Sequence, residues 1–274
     1  MTAPSLASTR QTCAIDILAD LLERRTGQQI APSRGWRLET ALKPLLRELG
    51  VAGLDELVKT LVATNDGVLA DRVVDALLNQ ETSFFRDAAV LDSVAGAAQA
   101  LHAAAPDRRL RIWSTACSNG QEPLSLAILL NERGIAPAAV DIVATDVSSG
   151  AIARARNGRY SQFEIQRGLS VHRMMAWFEG VEAEWVAKPE LLRRIHFRQH
   201  NLIDDVALAG RFDIVLCRNL LLYFSPELRH AAFDRLAASL RVSGLLVLGA
   251  SETVIGQTER FVPSGEWRGL YRRV

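Results

Sequence analysis

Apolar positions in the first part of the chain recur at helical spacing. Ala14, Ile17, Leu18, Leu21 and Leu22 fall at i, i+3, i+4, i+7 and i+8, with Gly27 following as a stop. Leu38, Ala41, Leu42, Leu45, Leu46 and Leu49 repeat the pattern before Gly50, interrupted by Pro44, a helix-kinking residue. Leu54, Leu57, Val58, Leu61 and Val62 make a third stripe, and Ala70, Val73, Val74, Leu77 and Leu78 a fourth. Four amphipathic helices with brief connections predict a small bundle over roughly residues 10–80. Its stripes read as core. Arg24, Arg25, Arg34, Arg37, Lys43 and Arg47 read as a solvated face, or else as a docking surface for an acidic partner.

Beyond residue 108 the pattern changes to short apolar runs alternating with helices. "LRIWSTACSNG" is a strand and turn, and "QEPLSLAILLNERG" a helix with Pro123 in its first turn. "VDIVATD" is a second strand, followed by a helix capped by Ser148 and stopped by Gly158. "RFDIVLC" and "GLLVLGA" are buried strands. The helix between them starts at Ser225-Pro226 and is expected to end at Gly244, and "FVPSGEWRGLYRRV" closes the sheet as an extended edge. Near-continuous apolar strands alternating with helices predict a parallel sheet covered on both faces. Such a doubly wound α/β fold binds ligands beyond the carboxyl ends of its strands, where the strand order reverses.

Composition narrows the function classes. The 274 residues are 49% hydrophobic and 23% charged, with a formal net charge of +1, so no global field recruits nucleic acid or membrane. No apolar run approaches the ~18 residues that cross a bilayer. The N-terminal stretch lacks an uncharged apolar core of signal-peptide length, which predicts a cytoplasmic protein. Cys13, Cys117 and Cys217 stand far apart, without metal-ligand spacing, and are expected as reduced thiols; no metal site is expected. The five histidines, His102, His172, His196, His200 and His230, show no catalytic setting, His200 standing closest to a candidate segment.

The expected strand ends hold the candidate chemistry. "STACSNGQEP" has one glycine, Gly120, where a dinucleotide fingerprint has three, which argues against a nicotinamide-dependent oxidoreductase. Glu122 stands at the following helix start, a position whose dipole favours a carboxylate, and that carboxylate repels phosphate. Asp146 ends the second strand 26 residues after Gly120; it reads as a ribose-binding acid or as a capping residue. Arg218, Asn219 and Tyr223 follow a buried strand and read as site residues, or as a surface arginine and a core ring with a wet tip. "QETSFFR" reads as a lid over the site, or as a helix end docking two core aromatics. A nucleoside pocket lined with carboxylates suits S-adenosylmethionine, which carries a ribose diol, an ammonium group and a sulfonium.

Five blocks, "NQETSFFRD", "RIWSTACSNGQEPLSLA", "ATDVSSGAIARARNGRY", "FDIVLCRNLLLYF" and "GLLVLGASE", occur in an order that resembles the CheR-type chemotaxis receptor methyltransferases over essentially the whole chain. The resemblance implies a Rossmann-like S-adenosylmethionine-dependent methyltransferase domain at residues 86–274, a small all-α N-terminal domain at 1–85, and an inserted β-subdomain within roughly 160–199. It implies methyl transfer to glutamate side chains of chemoreceptors, giving glutamate 5-methyl esters and S-adenosylhomocysteine. Chemoreceptor cytoplasmic domains are the implied partners, without nucleic acid or membrane insertion.

Carried over by motif, the cofactor residues are Gln80, Thr82, Arg86, Glu122, Asp146, Asn201, Leu202, Arg218 and Asn219, with Arg86 and Tyr223 as the catalytic pair. Arg86 is the first candidate to pair with the substrate carboxylate and Arg218 the second. Two departures are visible: Gln80 where the family usually has Asn, and Gly-Gln-Glu-Pro at residues 120–123 where it usually has Gly-Glu-Glu-Pro. Other readings of the fold are a non-catalytic S-adenosylmethionine-binding regulator or a methyltransferase for another substrate.

Overall fold

A computed structural model describes the backbone of residues 6–30 and 35–274, and side chains from residue 14 onward within them. Arg34, the Cys13 side chain and the first residues of the signal-peptide reading lie outside the described residues. The chain divides into two compact units, Met1–Asn79 with Tyr223–Ser225, and Gln80–Leu222 with Pro226–Val274. The division falls between Asn79 and Gln80 rather than at 85/86, because Phe84 and Phe85 belong to the core of the larger unit.

Among the described residues the smaller unit holds four helices, α1 (Leu6–Thr26), α2 (Trp36–Leu49), α3 (Leu54–Thr64) and α4 (Gly67–Leu77). Leu18, Leu22, Leu38, Leu42, Leu57 and Val73 form the centre of its core. Three expected stripe residues, Ile17, Leu49 and Val62, are exposed, since each sits at the outer edge or end of its helical stripe. Gly50 ends α2 at φ +66°, and the Asp66 carboxylate caps α4 by accepting the Val68 N–H.

The larger unit begins with α5 (Ala88–Ala104), β1 (Leu110–Thr115), α6 (Gln121–Glu132), β2 (Val140–Asp146) and α7 (Ser149–Asn157). A small antiparallel sheet follows, made of β3 (Arg159–Ser161), β4 (Phe178–Val181) and β5 (Glu184–Ala187), with α8 (Gln162–Gln166) and α9 (Val171–Trp177) between β3 and β4. Then come α10 (Pro189–Leu192), β6 (Ile195–Gln199), β7 (Phe212–Cys217), α11 (Pro226–Ser239), β8 (Leu240–Leu248), β9 (Phe261–Pro263) and β10 (Leu270–Arg273).

The main sheet has the order β6-β2-β1-β7-β8-β10-β9. β6 through β8 run parallel, and β10 is inserted antiparallel between β8 and β9. Two expectations are corrected. The helix expected to reach Gly244 ends at Ser239, and β8 starts at Leu240 with an irregular register against β7 that absorbs the polar "RVSG" stretch. Residues 195–199, drawn inside the insertion, form the parallel edge strand β6 of the main sheet. The strand order reverses between β1 and β7, so the binding crevice of this topology lies at the carboxyl ends of those two strands.

Candidate active site

The turn after β1 takes the chain through left-handed conformations at Ala116, Ser118 and Gly120, with φ of +53°, +50° and +90°. Gly120 is required there twice over: its φ is positive, and a Cβ would stand 2.9 Å from that of Ala155 on α7. The turn is held by Asp146. One carboxylate oxygen accepts the Ser118 N–H at 2.8 Å and the other the Ser148 N–H at 2.9 Å, so a buried acid ties the loops after β1 and β2 together. Gln80 spans the same two loops. Its carbonyl accepts from the Ser118 hydroxyl, and its side-chain amide donates to Ser148 Oγ at 3.0 Å. Ser148 also caps α7 by accepting the Ala151 N–H, as its sequence position predicts.

A second network occupies the other side of the turn. Glu122, in the first turn of α6, accepts from Ser114 Oγ at 2.7 Å and from Arg218 Nη1 at 2.8 Å. The Arg218 side chain is 2% exposed and bridges two acids, because its Nη2 also donates to Asp87 Oδ2 at 2.6 Å and to the Arg86 carbonyl at 3.0 Å. Among the described residues its Nε–H has no hydrogen-bond partner. Arg218 is therefore neutralised inside the protein, and this leaves it a poor second partner for a substrate carboxylate.

Arg86 differs. It is half-buried, its Nη1 donates to the Glu81 carbonyl at 3.0 Å, and among the described residues no carboxylate pairs with it. Its neighbours Phe85 and Asp87 are both left-handed, at φ +52° and +55°. That conformation costs a non-glycine residue about 1–2 kcal/mol, so the surroundings must hold it. Phe84 packs edge-on against Tyr160 and Phe178, with centroids 5.0 and 5.4 Å apart, and anchors the segment in the core. Thr82 is half-buried in the same stretch.

Asn219, Asn201 and Leu202 sit in loops of the larger unit, and Tyr223 is counted with the smaller one. Asn219 is left-handed (φ +59°), and its N–H donates to Glu252, whose carboxylate also accepts from the N–H groups of Gly249 and Leu222. Asn201 forms a turn after β6, its Oδ1 accepting the Ile203 N–H at 2.9 Å, and Leu202 is buried beside it. His200 ties that loop to the end of β2 through its N–H to the Asp146 carbonyl. Burial pushes the His200 imidazole below its ordinary pKa, a neutral group packed edge-on to Trp113. Tyr223 is counted with the helical unit, where its hydroxyl accepts from the Asn79 amide and its carbonyl from the Gln29 N–H.

The sequence reading missed several contributors: Asp87, Ser114, Ser118, Ser125 and Glu252. All five stood inside the quoted motif blocks, but only the two acids carry a residue type that signals site chemistry; the serines carry no signal of their own. Cys117 and Cys217 end or follow the two central strands, but burial first, and nearby carboxylates second, hold both thiols neutral.

The donor set fits a nucleoside bearing cationic groups. Two acids stand at the switch point, one of them where a pyrophosphate would seek the bare start of α6. Among the described residues no cluster of three His, Cys, Asp or Glu side chains could hold a metal ion, and no helix is long and apolar enough to cross a membrane. Residues 80–268 match the family model described as CheR methyltransferase, SAM binding domain.

The chain belongs to the CheR methyltransferase family.

Relatives of this CheR-family chain include a chemotaxis protein methyltransferase of Vibrio parahaemolyticus, 37% identical over 88% of this chain and 89% of that one. Chemotaxis protein methyltransferase Cher2 of Pseudomonas putida is 34% identical over 88% and 90%, and chemotaxis protein methyltransferase 1 of Pseudomonas aeruginosa 37% over 85% and 87%. Among solved structures, the plantazolicin methyltransferase BpumL in complex with SAH is similar at 12% identity over 58% of this chain and 45% of that one, with a TM-score of 0.35. By family membership and by its own parallel sheet order, the CheR-family chain is an S-adenosylmethionine-dependent methyltransferase with a Rossmann-like sheet.

Proposed function

We propose that the enzyme methylates glutamate side chains on the cytoplasmic domains of chemotaxis receptors, itself in the cytoplasm, giving glutamate 5-methyl esters and S-adenosylhomocysteine. The relatives' names support the pathway. The observation that supports the substrate class is Arg86, the site arginine that has no carboxylate partner among the described residues while Arg218 has two. A planar guanidinium is the side chain best suited to pair with an incoming carboxylate.

The chemistry needs no general base. A glutamate side chain has a pKa of about 4.3 and is already the nucleophile at neutral pH. S-adenosylmethionine supplies an electrophilic methyl on a sulfonium; the carboxylate oxygen forms a bond to that carbon while the carbon–sulfur pair passes to sulfur, and no proton moves. The protein must align the oxygen and strip its water, and orientation alone can supply about 7–11 kcal/mol in favourable cases. Arg86 offsets the desolvation of the anion. Tyr223, which follows the same buried strand as Arg218 and Asn219 in sequence, is the second catalytic residue, its hydroxyl donating to the acceptor oxygen. Asp146 takes the ribose diol, and Glu122 faces the cationic end of the cofactor. Gln80, Thr82, Arg86 and Asn219 complete its contacts, with Asn201 and Leu202 on the adenine side. Arg218 holds Glu122 in place.

Incubation with methyl-labelled S-adenosylmethionine and chemoreceptor cytoplasmic domains tests the reading. Base-labile label on receptor glutamates is expected. Tight binding of S-adenosylhomocysteine with no label transferred would replace it with a non-catalytic regulator, and base-stable label with another acceptor chemistry.

A further inference from the structure

We propose that Asp87 is a positioning residue for Arg86, acting through Arg218; the proposal rests on the role given to Arg86 above. Arg86 lies between two non-glycine residues in left-handed conformation, Phe85 at φ +52° and Asp87 at φ +55°. Such a pair persists only where contacts from elsewhere over-determine it. On one flank, the Phe85 N–H donates to Ser125 Oγ at 2.9 Å, and that hydroxyl donates in turn to the Gln121 carbonyl at 2.6 Å in the first turn of α6. The Phe85 ring is further held under the Arg173 guanidinium, 4.1 Å from its centroid. On the other flank a single nitrogen, Arg218 Nη2, binds both the Arg86 carbonyl at 3.0 Å and the Asp87 carboxylate at 2.6 Å. One donor gripping two consecutive residues fixes the peptide plane between them, and with it the direction in which the Arg86 side chain leaves the backbone.

Three observations separate this role from ordinary structural ones. Asp87 occupies the N-cap position of α5, where an aspartate normally accepts a helix N–H, yet its side chain makes no capping bond. The carboxylate is turned to Arg218 instead. Nor is Asp87 the sole counter-charge of Arg218, because Glu122 stands at 2.8 Å from Nη1. The Asp87 side chain is itself 34% exposed, so its own burial does not demand a partner.

The test uses the full-length enzyme and receptor cytoplasmic domains, with single-turnover label transfer to read slow rates and calorimetry to read S-adenosylhomocysteine affinity. Wild-type enzyme that leaves no methyl ester on receptor, or Arg86→Ala that turns over like wild type, removes the underlying reading before Asp87 is reached. With that reading intact, Asp87→Asn is expected to slow methyl transfer by at least about tenfold, the scale of a misplaced catalytic group, with product affinity within about threefold of wild type. In an Arg86→Ala background the same change is expected to slow the rate no further, because a positioning residue has nothing left to position. Ser125→Ala, which releases the opposite flank, is expected to give the same signature and serves if Asp87→Asn does not fold. Wild-type rates in Asp87→Asn and Ser125→Ala, an equal loss with and without Arg86, or product affinity lost in step with rate would each overturn the proposal.

Discussion

The two edges of the main sheet are built from the same kinds of residues and use them in opposite ways. At the amino edge, buried Asp213 accepts from Arg108 at 2.9 Å, from Arg241 at 3.2 Å and from the Arg111 N–H at 2.9 Å. The Arg111 guanidinium is matched in turn by Asp141 at 3.1 Å and lies over the Phe212 ring. Each of these cations has an acid, and the Asp213 carboxylate raises the pKa of Arg108 further. At the carboxyl edge, Arg218 is equally well matched, but the backbone around it is left-handed at Ala116, Ser118 and Asn219, and at Phe85 and Asp87 in the segment it holds. There Arg86 has no acid partner among the described residues. Left-handed backbone occurs at both edges, with Ser243 at φ +60° beside the irregular β7–β8 register, so the difference lies in charge: a saturated ion network contributes stability, whereas a cation that no acid matches among the described residues marks a place where a ligand completes the arrangement.

The sharpest way to break this contrast is at Arg86. Arg86→Ala is expected to lower methyl transfer by about 10²-fold or more, the range seen when one donor to a developing or desolvated charge is removed, with a smaller change in S-adenosylhomocysteine affinity. Tyr223→Phe should move in the same direction by less. Equal losses of rate and affinity in Arg86→Ala would make it a cofactor residue only, and full activity would erase the difference between the edges.

Asp146→Ala comes next and separates the roles within the carboxyl edge. Charge-assisted hydrogen bonds are worth about 1.5–3 kcal/mol each, so losing the acid that would face a ribose diol is expected to weaken S-adenosylhomocysteine binding by about 10²-fold. The variant also orphans the N–H groups of Ser118 and Ser148, so its unfolding transition must be recorded alongside. A folded variant with unchanged affinity would take Asp146 out of the cofactor site.

How far this contrast can be seen in the sequence depends on range. Strands buried on both faces, such as β7, read as continuous apolar runs and were legible, with the polar residues at their ends. β6 was not, because an edge strand exposes one face: "IHFRQ" alternates, its His196 and Arg198 exposed, and it resembles part of an insertion. The helical stripes were legible in their centres and not at their margins, since Ile17, Leu49 and Val62 face solvent. At the site, residue types could be placed on strand ends, but the partner choices are long-range. The Arg218–Asp87 and Arg218–Glu122 pairs join residues 131 and 96 positions apart, and no local pattern states that Arg218 is spent internally while Arg86 is not.

The smallest expected effect on catalysis belongs to the amino edge, and it decides whether the two edges are separable. Asp213→Asn removes the charge that Arg108 and Arg241 share but keeps an acceptor for the Arg111 N–H. Those two arginine side chains are 37% and 43% exposed, so each can turn back to water rather than remain as a buried unpaired cation. The loss is therefore nearer that of charged hydrogen bonds, about 1.5–3 kcal/mol, than that of a broken fully buried pair, about 3–5 kcal/mol. Thermal unfolding should shift down by about 2–4 °C for each kcal/mol in a unit of this size. Methyl transfer by the folded variant should stay within about twofold of wild type, because Asp213 stands at the start of β7 and Arg218 follows its other end. A fall in turnover matching the loss of stability would mean that strain at the carboxyl edge is held by charge at the amino edge, and the division of labour between them would be refuted.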